Sequence, residues 1–131
     1  GYDISKYYVF DFDEITPAPG QGALAVETRR DDKKLIEIIS QIDNLNIRKA
    51  VEVERSILKH IGTGCGVPIG VFATSTDNGI DIVACHVNPN TGDKIVVRRQ
   101  KLKGRTKEVV ELISNKLLSA VDENIADGYR V

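Results

Sequence analysis

The stretch VPIGVFATSTDNGIDIVACHV, residues 67–87, decides the fold. Two runs rich in β-branched residues, 67–74 and 80–87, are separated by the tripeptide Asp-Asn-Gly at 77–79. Because Asn-Gly favours the left-handed backbone angles of a tight turn, this stretch predicts an antiparallel hairpin. A third run at residues 94–102 extends the hairpin to a three-stranded meander.

Helical patterns lie on both sides of the predicted sheet. Apolar residues recur at three- and four-residue steps over residues 47–61, where Asn44 or Asn46 is suited to cap the helix and Gly62 to end it. A second helix, from about residue 106 to 121, carries apolar side chains on one face. The order helix, three strands, helix predicts an α+β fold with both helices on one sheet face.

The residues before this unit resemble pieces of two incomplete α/β domains. Residues 7–12 and 23–29 have the composition of strands, and residues 35–42 have isoleucine and leucine at helical spacing. We expect the aromatic residues of the first strand to be core and edge residues. Two strands and one helix cannot close a core, and the chain begins with Gly1 rather than Met. We therefore expect a fragment of a longer protein.

Composition limits the class of protein. Apolar residues make up 41% of the chain, charged residues 28%, and the net charge is -1. These values are typical of a soluble globular protein, and no apolar run approaches the roughly 20 residues that cross a bilayer. The charge predicts no nucleic-acid partner, and two cysteines favour the reducing cytoplasm.

Cys65 lies in a glycine-rich turn between the first helix of the unit and its first strand. Most cysteines are inert, but Gly64 and Gly66 leave open space beside this sulfur, and basic residues lie on the preceding helix. These features favour a reactive thiol. Cys85, in the middle of a strand, is expected to be a packed residue. The spacing of the cysteines and histidines does not predict a metal site.

Three further side chains are candidates for binding. Gln21, between Gly20 and Gly22, has an amide that can donate to a carboxylate. The alternative is that this loop serves only as a turn, for which its glycines would suffice. Arg29 offers a bidentate donor for a carboxylate. Glu54 and the arginine after it form either an exposed helix pair or an inter-domain salt bridge, and spacing alone does not separate these alternatives.

Three motifs carry a family resemblance: PAPGQGAL at residues 17–24, Glu-Arg-Ser at 54–56 and GCGVPI at 64–69. In order and spacing they resemble the second half of the porphobilinogen deaminases, also called hydroxymethylbilane synthases. There are two departures. Thr63 precedes Gly64 where the family usually has two glycines, and glycine follows the cysteine where Ser or Gln is common.

The resemblance implies a transferase of tetrapyrrole and haem biosynthesis. Such an enzyme condenses four porphobilinogen molecules, with release of ammonia, into the linear tetrapyrrole hydroxymethylbilane. The residue matching Cys65 holds a dipyrromethane cofactor through a thioether. The catalytic aspartate of the family lies in the N-terminal half, so the resemblance also implies that this chain alone is inactive and contains no catalytic residue.

The other site residues follow from the same resemblance, position by position. Gln21, Gly22 and Gly64 would lie at the cofactor and substrate cleft. Arg29 would face acidic side chains of the pyrroles in that cleft, and Glu54 would pair with a basic residue of another domain.

The resemblance also implies a domain arrangement. Residues 1–16 would end domain 2, residues 17–44 would return to domain 1, and residues 45–131 would form domain 3, which carries the cofactor. The partners would be porphobilinogen, its oligomers and the missing N-terminal domains, in a full-length protein that is a monomer.

A double-stranded RNA-binding module is the alternative from another functional class, because it has the same order of elements. Such a module places a basic cluster at the start of its second helix. Here Arg105 and Lys107 are followed by Glu108 and Glu111, so the sequence lacks that basic cluster.

Overall fold

The computed structural model describes residues 3–62, 67–88, 91–102, 104 and 106–125, and within these ranges the side chains of residues 100–102 and 120–125 are not described. After a short 3-10 turn, the elements are α1 (Lys33–Ser40), α2 (Leu45–Ile61), β1 (Ile69–Thr76), β2 (Gly79–Val87), β3 (Lys94–Leu102) and α3 (Thr106–Ile125). The α+β class and the order helix, three strands, helix are confirmed.

The three strands form one antiparallel sheet in the order β1-β2-β3. Val71 of β1 lies opposite Ala84 of β2, and Ala84 lies opposite Val97 of β3. The predicted hairpin turn occupies Asp77 and Asn78, between β1 and β2. The sequence therefore predicted both the meander and the place of its first turn.

The hydrophobic core lies between this sheet and the two long helices. α2 contacts β1, α3 contacts β2 and β3, and the two helices contact each other. The core unites fully or nearly fully buried apolar side chains of all five elements, among them Ile57, Val71, Ala84, Val97 and Leu117. Both helices thus cover one sheet face, as predicted.

Local signals at the ends of α2 explain its length. The side chain of Asn44 accepts hydrogen bonds from the N–H groups of Asn46 and Ile47, at 3.0 and 3.1 Å, so Asn44 is the cap. Gly62 ends the helix with φ of 69°, in the left-handed region that glycine tolerates best.

The two strands predicted before α1 are not formed. Residues 7–12 and 23–29 carry no strand assignment, because an extended segment becomes a strand only by pairing with another strand. Of the prediction that the aromatic residues here are core and edge residues, the part about the core is wrong for Tyr7, Tyr8 and Phe10, which are exposed. The predicted helix is confirmed as α1, although it buries no residue.

Part of the N-terminal region crosses the sheet face opposite the helices. Phe12 stacks on Phe72, with ring centroids 3.7 Å apart and planes 16° from parallel. Arg98 pairs with Asp13 at 2.8 Å, and the ammonium of Lys94 donates to the backbone carbonyl of Asp13. We call residues 11–16 the strap. Cys85 lies on this covered face and is buried, as predicted.

Candidate functional site

The loop after the strap is built from two successive tight turns. The N–H of Gln21 donates to the carbonyl of Ala18 at 3.0 Å, and the N–H of Ala23 donates to the carbonyl of Gly20 at 3.1 Å. Gly20 and Gly22 have φ of 78° and 81°, which side chains disfavour. The side chain of Gln21 is exposed at the tip of these turns.

This loop is attached to the edge strand of the C-terminal unit. The N–H of Val71 donates to the carbonyl of Pro17 at 2.9 Å. At Gly70 an added Cβ would lie 2.5 Å from the carbonyl oxygen of Thr16, so only glycine allows the two backbones to approach this closely. A glycine inside a strand is a signal for such an approach, and the sequence reasoning did not use it.

Glu54 points from α2 toward the same loop and is only 5% exposed. Its carboxylate accepts from the N–H of Gly20 at 2.6 Å and from the N–H of Ala73 at 2.7 Å. The structure therefore joins Glu54 to the loop that carries Gln21. No basic side chain among the described residues pairs with this carboxylate, and its ion pair with another domain stays a prediction.

Cys65 and Gly64 lie outside the described residues. The structure does define both ends of the segment that contains them. Gly62 ends α2 on one side, and on the other the carbonyl of Pro68 accepts from the N–H of Val87 at 3.2 Å. The chain between these points connects α2 to β1.

His86 is a buried polar residue beside the end of that segment. It lies opposite Ile69 in the sheet and is 2% exposed. Burial lowers the pKa of His86, and a hydrogen bond with the backbone of Pro68 opposes this shift in part. The sequence reasoning gave His86 no role.

Arg29 lies apart from this cluster. Its backbone carbonyl accepts from the N–H of Asp32, just before α1, at 3.2 Å. The guanidinium is exposed and has no hydrogen bond or ion pair with any described residue. The structure thus brings Glu54 to the Gln21 loop and leaves the Arg29 guanidinium exposed.

A groove of about 650 Å³ lies elsewhere, between α2 and the start of α3. Lysines and glutamates line it together, including Lys59, Lys107, Glu52 and Glu111. None of the described site residues lines this groove. Its mixed charge is not the basic cluster that an RNA-binding helix needs.

The described parts of the chain also contain no group of three or more His, Cys, Asp or Glu side chains that could hold a metal ion. None of the helices in the ranges that the structure describes is long and apolar enough to cross a membrane.

Comparisons with known proteins identify the family. The family model "Porphobilinogen deaminase, C-terminal domain" matches residues 48–119, which is more than half of the chain. A second model, "Porphobilinogen deaminase, dipyromethane cofactor binding domain", matches residues 1–37. The first match contains the sheet and most of its two helices, and the second contains Gln21 and Arg29.

Curated relatives agree with both models. The porphobilinogen deaminase of Natranaerobius thermophilus is 31% identical over 121 residues, covering 83% of this chain and 39% of that protein. The enzyme of Desulforamulus reducens is 30% identical over 133 residues, covering 99% of this chain and 42% of that protein. The enzyme of Staphylococcus carnosus is 43% identical over 77 residues, covering 59% of this chain and 25% of that protein. The chain spans about two fifths of the length of the first and second of these relatives, and it belongs to the porphobilinogen deaminase family.

Proposed function

We propose that this chain is the C-terminal part of a hydroxymethylbilane synthase. The full-length protein joins four porphobilinogen molecules into linear hydroxymethylbilane and releases ammonia, as a transferase of tetrapyrrole biosynthesis. The observation that carries the proposal is the match of both family models along one chain, in the order that the three sequence motifs predict.

The proposed domain division has residues 1–16 in domain 2, residues 17–44 in domain 1 and residues 45–131 in domain 3. Two observations support the boundary between residues 44 and 45. The match to the cofactor-binding model ends at residue 37, before this boundary, and the match to the C-terminal-domain model begins at residue 48, after it. α2 to α3 share one buried core, whereas α1 buries no residue.

The proposed cofactor is a dipyrromethane held through a thioether to Cys65, with Gln21, Gly22 and Gly64 beside it. The match of residues 1–37 to a cofactor-binding model supports the placement of Gln21 and Gly22. An added Cβ at Gly22 would meet no atom within 4 Å, so the backbone there is open to a flat group. When bound, this group supplies a permanent primer of two pyrrole units.

The chain's own residues have distinct proposed roles at this site. The Cys65 thiolate would be the nucleophile: its sulfur would bond to the aminomethyl carbon of a porphobilinogen whose amino group leaves as ammonia, so that a C–S bond replaces a C–N bond. The exposed guanidinium of Arg29 binds an acetate or propionate carboxylate of a pyrrole, because its planar donors match a carboxylate. Gln21 donates its side-chain amide to a second such carboxylate. Glu54 also has the proposed inter-domain ion pair.

The catalytic aspartate of the proposed reaction lies in the N-terminal half of the full-length protein. We therefore expect the 131-residue chain alone to consume no porphobilinogen. The proposed partners are porphobilinogen, its oligomers and the N-terminal domains, in a cytoplasmic monomer.

Intact mass spectrometry of the full-length protein that contains this chain tests the proposal. We expect a mass increment of two pyrrole units, located by peptide mapping on the peptide that contains Cys65. Cys65→Ser should abolish the increment, and Cys85→Ser, which changes the buried cysteine under the strap, should retain it. An active protein without the increment would contradict the proposal, and equal loss in both variants would point to a structural effect.

A further inference from the structure

The Glu54 carboxylate lies where three elements meet, and its burial requires an explanation. It projects from the middle of α2 and is 5% exposed. A buried carboxylate destabilises a fold unless its oxygens accept hydrogen bonds. Oε1 accepts from Ala73 of β1 and Oε2 accepts from Gly20 of the Gln21 loop, both at distances typical of charge-assisted bonds.

The contact between Glu54 and Ala73 gives a hydrogen-bond partner to the outer edge of the sheet. β1 is an edge strand, so alternate N–H groups along it point away from β2 and need partners. Two of these groups, on Val71 and Ala73, are satisfied by the Pro17 carbonyl and by Glu54. The loop and the glutamate together take the place of a fourth strand.

The Gly20 contact fixes the other end of the same loop. Pro17 is held at β1 and Gly20 is held at α2, where its backbone also approaches Val51. Gly20 is followed immediately by Gln21 and Gly22. The position of the Gln21 amide relative to α2 therefore depends on the Glu54 bond.

We propose that Glu54 is a positioning residue, which clamps the Gly20–Gly22 loop onto α2 and β1 and so sets where Gln21 faces the cofactor site. This inference deepens the proposed function and rests on it for the role of Gln21. Each carboxylate oxygen has a second lone-pair direction, so the clamp is compatible with an additional basic partner from another domain.

Amide hydrogen exchange by NMR on the 131-residue chain tests the clamp without any cofactor or activity. In the unaltered chain, we expect the Gly20 N–H to exchange at least about tenfold more slowly than the Gly22 N–H, because only the former donates to a carboxylate. Equal exchange at these two glycines would overturn the clamp. This comparison needs no variant and is therefore independent of any folding defect.

The Glu54→Gln variant provides a second test of the clamp by amide exchange. The amide keeps one acceptor oxygen and offers a donor where an N–H already points, so one of the two clamped N–H groups must lose its partner. We expect exchange at Gly20 or Ala73 to rise at least about tenfold relative to the core amides of α3. Glu52→Gln, the same charge change at an exposed position on α2, should alter neither. A uniform rise at all amides would indicate a structural role only and would contradict the proposal.

A double-mutant comparison in the full-length protein tests the link to Gln21. If Glu54 acts through the loop, Glu54→Gln and Gln21→Ala should lower kcat/KM for porphobilinogen non-additively, with the double variant no worse than the poorer single variant. Losses that multiply would overturn the positioning role. Absence of the pyrrole increment on Cys65 would contradict the proposed function instead, and the exchange result would stand.

Discussion

Residues 45–125 and residues 3–44 contain similar patterns of apolar residues but differ in how far those residues are buried. In the first region Ile57, Ile113 and Leu117 are completely buried. In the second, Leu24 is 99% exposed, and Leu35, Ile36 and Ile38 of α1 are also exposed. The difference lies in the number of layers, because the first region closes a sheet under two helices and the second has no sheet to cover.

The comparison teaches that periodicity specifies an element and its apolar face, while burial requires a second surface. α1 forms from its own signals, with Asp32 accepting a hydrogen bond from the N–H of Leu35 at its start. The strand-like runs have no such local solution, since a strand must share its hydrogen bonds with another strand. The strap is the exception, because the outer face of the sheet offers it a surface.

The largest expected effect comes from matched leucine truncations in the two regions. Leu117→Ala should lower the free energy of unfolding by about 2–5 kcal/mol, because it leaves a cavity in a closed core. Leu24→Ala should change it by less than about 0.5 kcal/mol. Urea unfolding of both variants followed by circular dichroism measures this difference, and equal losses would mean that both regions belong to one core.

A smaller effect is expected at the strap. Phe12→Ala removes the ring that stacks on Phe72 and should cost about 1 kcal/mol beyond the change in buried area. Phe10→Ala is the matched control, since Phe10 contacts Tyr8 within the exposed region. Chemical unfolding again gives the measurement. An equal response of the two variants would show that the strap does not stabilise the sheet.

Removal of the two helix caps should separate global from local stability. Asn44→Ala should lower the free energy of unfolding by about 1 kcal/mol, because α2 unfolds only with the core. Asp32→Ala should leave that value unchanged and raise amide exchange within α1 alone. Global destabilisation by Asp32→Ala would contradict the division into two regions.

The smallest expected effect is a pH dependence from His86. Because burial lowers the pKa of His86 in the folded state, the unfolded chain takes up the proton first. Its contribution to the free energy of unfolding is therefore fully present above about pH 6.5 and is lost as the pH falls toward the folded-state pKa. His86→Gln should remove this component when urea unfolding is repeated across the acidic range. An unchanged profile would assign the pH dependence to other groups.

The fold of the C-terminal region was largely predictable, because its signals are local. Asn-Gly at the hairpin, Gly62 at the end of α2 and the apolar spacing of both helices each specify a structure within a few residues. The residues of the candidate site stay predictions, and the contacts that two of them make could not be predicted from the sequence. Glu54 and Gln21 were identified separately, and the bond from Glu54 to Gly20 joins residues 34 positions apart.

The sequence by itself determined the helices, the meander, the glycine turns and the family, because each depends on local propensity or on motifs in order. Tertiary structure alone decided that the Gln21 loop borders β1, that Glu54 is buried between them, that His86 is buried, and that the strap covers the outer face of the sheet. The physical reason is that these contacts join groups distant in sequence, and many of these groups belong to the backbone. Backbone N–H and carbonyl groups are the same at almost every residue, so the amino-acid sequence does not specify which of them will form a hydrogen bond with each other.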